Sequence, residues 1–273
     1  MDWSNSFRNP PRRVIKLTKE YLSKVLKSRK RVFIFFDYDG TLSPIVRNPH
    51  LARVPLSTKK SLKKLAGNRR FVVGIISGRS LRDVKKRVGL KDIFYAGGHG
   101  LEIEYKKKVL LNPKLQIKSR AVIKKAKSQL AKSLNDIGGV VIEDKGAILA
   151  VHYRKVLLSK QRTVIKIFKE TSKPFLKAKL LKIGSGKKVL ELRPNIAFSK
   201  ADSVQFFHKK LRKAKNDLTL FFGDDLTDED VFKLLKDPDL GVRIGRSKSS
   251  KAKYYLANPR ELTQLLFGVS RLS

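Results

Sequence analysis

Residues 32–42 read Val-Phe-Ile-Phe-Phe-Asp-Tyr-Asp-Gly-Thr-Leu, an unbroken apolar run that ends in two carboxylates, Asp37 and Asp39. A run this apolar is typical of a strand buried on both faces, as in a parallel sheet, and such sheets place ligands at the carboxyl ends of their strands. Gly40 permits a turn directly after the carboxylates. Because Asp-Gly between apolar segments also fits a simple β-hairpin, this segment alone leaves both interpretations open.

The composition leaves room for an enzyme. The chain has 273 residues, enough for one large domain or two smaller ones, and it contains no cysteine, which excludes disulfides and thiolate metal sites. No segment approaches the roughly 20 apolar residues of a membrane helix. The first residues carry charge without an apolar signal region. We therefore expect a soluble, cytoplasmic monomer with no membrane span.

The charge is strongly basic, with 63 Lys and Arg against 23 Asp and Glu and a formal net charge of +40. The basic residues are spread along the whole chain, and their density is higher only at residues 24–31 and 106–127. Nucleic-acid binding usually needs a concentrated basic stripe with interleaved aromatic residues. We therefore expect attraction of an anionic small molecule and no specific nucleic-acid partner.

Hydrophobic spacing predicts an α/β fold for most of the chain. An amphipathic helix is predicted over residues 12–30, within a basic N-terminal extension at 1–30. After the first strand come a helix, a strand, a helix and a strand, and this alternation favours a parallel sheet. The predicted ranges are 56–66, 71–76, 80–88 and 93–96.

Residues 112–193 interrupt that alternation with the order αββαββ, which predicts a separate α+β domain with an antiparallel sheet. Its predicted elements are 114–134, 139–144, 147–153, 160–170, 175–183 and 187–192. The alternating pattern then resumes with elements at 200–213, 218–222, 228–235 and 240–244. We expect a core domain at 31–111 and 194–273, into which 112–193 is inserted as a cap that supplies substrate specificity.

A second group of carboxylates follows the predicted strand 218–222, in Gly-Asp-Asp-Leu-Thr-Asp-Glu-Asp at 223–230. Thr227 and Asp230 have the spacing of a helix capping box. If this strand lies beside the first, Asp224 lies next to Asp37 and Asp39. Three carboxylates at such short distances repel one another strongly and require a cation. Oxygen ligands, without cysteine or clustered histidine, favour Mg²⁺ over zinc.

Four motifs follow one another along the chain: Asp-Tyr-Asp-Gly-Thr at 37–41, Ile-Ile-Ser-Gly-Arg-Ser at 75–80, Gly-Gly-His-Gly-Leu-Glu at 97–102 and the acidic motif at 223–230. In this order they resemble the haloacid-dehalogenase superfamily and, more narrowly, are similar to trehalose-6-phosphate phosphatases. The resemblance covers nearly all of the chain after residue 30. It implies a Rossmann-like core with an inserted cap, in agreement with the predicted domain order.

The resemblance also implies site residues. Asp37 would be the nucleophile and Asp39 the general acid and base, while Ser77 and Lys200 would hold the phosphate. Mg²⁺ would be bound by Asp37, the backbone carbonyl of Asp39 and Asp224. Supporting residues around these ligands would be Thr41, Asp225 and Asp228.

The segment around Lys200 departs from the family pattern. It reads Ser199-Lys200-Ala201 where Asp-Lys-Gly is usual, and Ala201 leaves less room than glycine. Ser199 can still cap a helix, with Asp202 as its partner three residues later.

Substrate contacts are expected from charged residues of the cap, which could equally be solvated charges on an open sheet face. The resemblance assigns sugar binding to Arg79, Glu143, Lys145, Arg154, Lys187 and Glu191, with Lys188 in place of Lys187 if the register differs by one. The function implied is Mg²⁺-dependent hydrolysis of trehalose 6-phosphate. The alternatives are a related phosphatase acting on another sugar phosphate or a glycosyl phosphoglycerate, and a non-catalytic basic nucleic-acid-binding protein.

Overall fold

The computed structural model describes residues 14–46, 48, 51–105, 108–111, 117–186, 188–196 and 198–271. Its strands and helices, in chain order, are β1 (Ile15–Lys16), α1 (Lys19–Lys27), β2 (Val32–Phe36), α2 (Leu56–Gly67), β3 (Phe71–Ile76), α3 (Leu81–Val88), β4 (Phe94–Gly97), β5 (Glu102–Tyr105), β6 (Lys108–Leu111), α4 (Ile117–Leu134), β7 (Val141–Asp144), β8 (Leu149–His152), α5 (Leu158–Lys177), β9 (Leu181–Gly186), β10 (Val189–Pro194), α6 (Lys200–Lys210), β11 (Leu218–Gly223), α7 (Glu229–Leu234), β12 (Leu240–Ile244), β13 (Tyr254–Leu256) and α8 (Pro259–Ser270). The described residues form two compact units. The first lies within 1–77, 85–95 and 199–273, and the second within 78–84 and 96–198.

The first unit contains a parallel sheet in the order β1-β13-β12-β11-β2-β3. Strand β2 lies between β11 and β3, and Phe36 at its end is in register with Phe222 and Ile75. Every residue of β2 is at most 1% exposed, as a strand buried on both faces requires. Because both neighbours of β2 are parallel to it, the hairpin alternative for residues 32–42 is wrong.

Aromatic packing joins β2 to two elements that arrive much later in the chain. Phe36 stacks on Phe222 of β11 with ring centroids 5.1 Å apart, and Phe35 stacks on Phe207 of α6 at 5.6 Å. All four rings are buried, and aromatic pairs of this kind add to the stabilisation from area alone. The ends of β2, β11 and α6 are therefore held together by the core of this unit.

The helix predicted over residues 12–30 is wrong at its start. Ile15 and Lys16 form strand β1 and pair with β13, while residues 12 and 13 lie outside the described part of the chain. The helix begins after Thr18, whose Oγ1 accepts a hydrogen bond of 3.2 Å from the backbone N–H of Tyr21. An N-cap threonine requires an extended backbone, so the segment before it is free to join the sheet edge.

The second unit contains an antiparallel sheet in the order β7-β8-β10-β9, and the order of α4, β7, β8, α5, β9 and β10 agrees with the predicted αββαββ. One face of the sheet packs on α4 and α5, through Val151 and Leu192 on the strands and Leu130 and Phe168 on the helices. Since side chains alternate along a strand, Glu143 of β7 and Glu191 and Arg193 of β10 project from the other face, whereas Asp144 lies on the helix side and pairs with Lys127 of α4.

The strand predicted over residues 175–183 is wrong in its first part. Helix α5 continues to Lys177, past Pro174 in its interior, because Val164, Phe168 and Phe175 are all buried in the core of the unit. The strand starts only at Leu181. The structure also contains three features that the sequence pattern did not predict, namely the β5–β6 hairpin, β13 and α8. The predicted fold class, α/β with a mostly parallel sheet and a separate antiparallel one, is confirmed.

The longest described helix, α5, has 20 residues and carries charged side chains along its length. None of the helices in the described ranges combines the length and apolar character needed to cross a membrane.

The core of the first unit contains a partly buried histidine that we expect to make folding stability pH-dependent. His208 Nε2 lies 2.9 Å from Thr219 Oγ1, and its ring meets Phe33 edge-on at 5.3 Å. Burial, together with the Lys213 ammonium, lowers the pKa of His208 to about 4, against the opposing effect of Asp239 and Asp217. As pH falls, His208 is therefore protonated in the unfolded chain at a higher pH than in the folded protein.

We predict that the stability from neutral His208 is fully present above the unfolded pKa of about 6.5 and is lost as pH falls towards 4. Between about pH 7.5 and 4.5 the wild type should lose about 1–2 kcal/mol more than His208→Gln, since solvent reaching the ring screens part of the effect. Urea unfolding at both pH values measures the difference. Equal pH dependence in the two proteins would contradict the prediction.

Candidate active site

The end of β2 is shaped by a tight turn that carries both predicted aspartates. The Asp37 N–H donates to the Phe222 carbonyl at 2.8 Å, which extends the sheet pairing one residue beyond the strand. Gly40 follows with φ of +82°, a conformation that favours glycine. A Cβ added to Gly40 would lie 2.0 Å from Asp224 Oδ2, so only glycine lets the two loops approach this closely.

The loop after β11 supplies the second carboxylate of the cluster. Thr41 Oγ1 donates a hydrogen bond of 2.9 Å to Asp224 Oδ1 and thereby joins the two loops. Thr41 itself is fully buried. The predicted meeting of these loops is therefore observed, with Thr41 as the contact between them.

Asp228 holds the β11 loop in shape. Its Oδ2 accepts hydrogen bonds from the backbone N–H groups of Asp224 at 2.9 Å and Asp225 at 3.0 Å. The capping box in this loop is formed by Asp225 and Asp228, so the prediction of a Thr227–Asp230 box is wrong. A 3₁₀ turn at Leu226–Asp228 precedes α7 and shifts the cap to an earlier residue.

Lys200 is a buried cation at the start of α6, with 1% of its surface exposed. Its Nζ lies 2.8 Å from Asp37 Oδ1, 2.7 Å from Asp228 Oδ1 and 4.0 Å from Asp225 Oδ1. The predicted Ser199–Asp202 capping box is present, so the altered sequence around Lys200 still starts the helix at this residue. A buried charge requires such partners, because an unpaired one would cost several kcal/mol.

The electrostatics of this cluster leave an excess of negative charge. Burial raises the pKa of Asp37 to about 6 against the Lys200 ammonium, and burial likewise raises the pKa of Asp224 to about 6. Burial and then the Asp37 charge raise the pKa of Asp228 to about 7. Although burial disfavours its charge, Asp37 and the other neighbouring carboxylates hold the pKa of Lys200 above its usual value. One cation thus faces several carboxylates, of which Asp37 and Asp228 are buried with it.

This donor set fits a hard divalent cation. Asp37, Asp224 and Asp228 each offer a ligand atom, and these atoms all lie within 4.8 Å of one another. Both oxygens of Asp228 are already bonded, one to Lys200 and one to backbone N–H groups. Asp37 and Asp224 are therefore the better direct ligands, and Asp228 supports them. Oxygen-only ligands of this kind suit magnesium or a similar ion.

Three other predicted site residues are placed as follows. Asp39 is half-buried in the turn, where its backbone forms a bridge with Ser43. Ser77 follows β3 directly and is 1% exposed. In the second unit, Arg79 Nη1 lies 2.9 Å from a carboxylate oxygen of Asp83, one helical turn further on.

The second unit brings three of the predicted sugar-binding residues together on one sheet face. Glu143 and Glu191 are both in register with Ala150, so the two carboxylates flank a methyl group. Lys145 Nζ lies 3.0 Å from Glu191 Oε1 and 3.9 Å from Glu143 Oε2. The cluster is therefore an ordered network rather than a set of independent solvated charges.

Two members of this network were missed by the sequence analysis. His152 Nε2 lies 2.9 Å from Glu143 Oε2, and this bond lowers the pKa of Glu143. Arg193 donates from Nε to Glu191 Oε2 at 2.8 Å and also from Nη2. The spacing Glu191-x-Arg193 on one strand face was the signal that could have identified Arg193.

The remaining cap predictions are placed as follows. Arg154 is exposed in the turn after β8. Lys187 lies outside the described residues. Its alternative, Lys188, donates to Gln161 Oε1 of α5 at 2.7 Å and lies over the Tyr153 ring. Lys188 therefore belongs to the helix-facing side of the unit.

Comparison with known proteins places these features in a family. The profile of the trehalose-phosphatase family matches residues 35–260. The chain is 33% identical over 252 residues to trehalose-phosphate phosphatase B of Arabidopsis thaliana, covering 87% of this chain and 66% of that protein. It is also 33% identical over 254 residues to trehalose 6-phosphate phosphatase RA3 of Zea mays, covering 87% of this chain and 69% of that protein.

Solved structures give the same result. The C-terminal domain of trehalose-6-phosphate phosphatase from C. albicans superposes with a TM-score of 0.73 and 25% identity, over 96% of this chain and all of that domain. The chain thus spans about two thirds of the length of its plant relatives and the whole of this fungal domain. With the profile match covering all the loops described above, the chain belongs to the trehalose-phosphatase family.

Proposed function

We propose that this protein is a Mg²⁺-dependent phosphatase that converts trehalose 6-phosphate to trehalose and phosphate through an aspartyl-phosphate intermediate. The observation that carries the proposal is the buried Lys200 ammonium, 2.8 Å from the Asp37 carboxylate beside Asp224. Lysine at this position neutralises a nucleophilic carboxylate and an incoming phosphate together. The names of the relatives supply the substrate.

The proposed reaction has two displacements. An Asp37 oxygen attacks phosphorus, the bond from phosphorus to the sugar oxygen breaks, and the carboxyl proton of Asp39 passes to that oxygen. Asp39, now a carboxylate, then takes a proton from water as the water oxygen attacks phosphorus. The bond from phosphorus to Asp37 breaks, which releases phosphate and restores the Asp37 carboxylate.

We assign the other residues by what they can contact. Ser77 and Lys200 bind the phosphate oxygens, with a hydroxyl and an ammonium respectively. Asp37, the Asp39 carbonyl and Asp224 would hold Mg²⁺, which would neutralise phosphate charge when bound. Thr41, Asp225 and Asp228 orient these groups. The predicted core limits of 31–111 and 194–273 are kept as part of the proposal.

Sugar recognition is assigned to the predicted cap, residues 112–193. Glu143, Lys145 and Glu191 combine acceptors and donors on one face, as sugar hydroxyls require. Arg79, Arg154 and Lys187 are kept as further sugar contacts.

We predict phosphate release from trehalose 6-phosphate that requires Mg²⁺ and is abolished by chelation. Asp37→Asn should reduce kcat by a factor of about 10⁴ or more, because the amide is not a nucleophile. The matched control is Asp136→Asn, the same substitution at an exposed aspartate. A panel of sugar phosphates measures selectivity. Phosphate release only from other sugar phosphates would show that the proposed substrate is wrong. No release from any sugar phosphate, together with salt-sensitive DNA binding, would show that the protein is not an enzyme of this kind.

We predict that Thr41→Val weakens Mg²⁺ binding about tenfold, because Asp224 loses the hydroxyl that orients it. Thr41→Ser keeps the donor and should bind Mg²⁺ almost as the wild type does. Calorimetric titration of each protein with Mg²⁺ measures the affinities. The prediction fails if the valine and serine variants bind alike.

We predict that Lys200→Met lowers kcat at least about 10²-fold, the range found when one preorganised charge-stabilising donor is removed. Lys209→Met, an exposed lysine on the same helix, should leave kcat unchanged. Saturation kinetics with trehalose 6-phosphate separates kcat from KM. A change confined to KM would show that Lys200 contributes binding alone.

A further inference from the structure

The Glu191 carboxylate has its two oxygens engaged differently. Oε2 accepts both hydrogen bonds from Arg193, through Nε and Nη2, while Oε1 accepts a single bond of 3.0 Å from Lys145. A carboxylate can accept about four hydrogen bonds, two at each oxygen. Oε2 is thus filled by the guanidinium, and the remaining acceptor capacity lies on Oε1, next to the Lys145 ammonium.

A glycine on the neighbouring strand makes room for this arrangement. Gly184 of β9 is in register with Glu191, whereas Arg193 is in register with Lys182, so the guanidinium leans back across β9 to reach Glu191. A Cβ added to Gly184 would lie 2.9 Å from Arg193 Nε and 3.1 Å from Cζ. Because Gly184 lacks a positive φ, alanine there is compatible with the backbone and would displace only the end of a flexible side chain.

The charges around Glu191 keep it an acceptor. Burial alone would raise the pKa of Glu191, but Lys145 and Arg193 outweigh it and hold the pKa below its usual value. Within the ion-pair network, the two carboxylates Glu143 and Glu191 are balanced by Lys145 and Arg193, while Lys182 of the edge strand β9 is exposed on the same face. In a chain with a net charge of +40, this electrically balanced network suits an uncharged polyhydroxyl group better than a phosphate.

We propose that Arg193, seated on Gly184, is a positioning residue that fills Glu191 Oε2 and thereby presents Oε1 and Lys145 to a sugar hydroxyl. Arg193 does not touch the substrate in this arrangement. It acts through Glu191, and its planar fork sets the carboxylate plane in a way that a lysine cannot. The inference rests on the proposed function and extends it to residues that orient the sugar contacts.

The first experiment compares two substrates. Arg193→Gln removes the charge, and Gly184→Ala displaces the intact arginine. Both should raise the KM for trehalose 6-phosphate about tenfold, the usual effect of losing a hydrogen bond to a charged group. Neither should change hydrolysis of p-nitrophenyl phosphate, which has no sugar. Arg193→Lys should restore only part of the affinity, and Gly138→Ala, a glycine with open space around it, should match the wild type.

A second measurement keeps this inference separate from the proposed function. In protein labelled with ¹³C at glutamate carboxyl carbons, Glu191→Gln identifies the Glu191 signal. Trehalose should shift that signal in the wild type and in Gly138→Ala. In Arg193→Gln and Gly184→Ala, an about tenfold higher trehalose concentration should be needed for the same shift, because the affinity is lower. Failure of the proposed function would appear instead as absence of phosphate release from trehalose 6-phosphate.

Three results would overturn the inference even if the enzyme is active. One is a wild-type Glu191 signal that trehalose does not move. Another is an unchanged KM and trehalose affinity in both Arg193→Gln and Gly184→Ala. The third is an equal loss of p-nitrophenyl phosphate hydrolysis, which would mean general damage to the protein.

Discussion

The burial of one ammonium group organises the first unit of this protein. Lys200 is almost fully removed from water, and it can remain charged there only because Asp37 and Asp228 lie within 3 Å of its Nζ. Those carboxylates come from the ends of β2 and from the loop after β11, so the ion pairs hold three distant parts of the chain together. Removing either partner would leave an uncompensated charge, which is the costly state for buried ions.

The same constraint explains the small residues and hydroxyls around the cluster. Gly40 and Gly223 bring backbone against the Asp224 and Asp228 side chains, where a Cβ would clash. Thr41 satisfies one oxygen of Asp224, and backbone N–H groups satisfy one oxygen of Asp228. What remains is a set of carboxylate oxygens with more negative charge than Lys200 can neutralise. A divalent cation and a phosphate would complete the balance, which is the physical basis of the proposed chemistry.

The polar face in the second unit works on a different electrostatic principle. Glu143 and Glu191 are matched by Lys145 and Arg193, so the ion-pair network on this face is neutral within a chain that carries +40 overall. Recognition of uncharged hydroxyls depends on fixed donors and acceptors, and strand pairing provides that fixation through the register of β7, β8 and β10.

The local sequence predicted the apolar run of β2, the order of the strands and helices and the four motifs. It could do so because burial and hydrogen-bonding patterns repeat at fixed spacing. That information was enough for the fold class and for grouping Asp37 with Asp224. Tertiary structure alone decided that residues 15 and 16 are a strand, that α5 passes Pro174, and that Asp225 caps with Asp228. It also decided that Arg193 bonds Glu191 through the space left by Gly184. Apart from the Asp225–Asp228 cap, which is local in sequence, each of these depends on a partner distant in sequence or on a neighbouring strand. One-dimensional spacing carries no record of which partner the chain will meet.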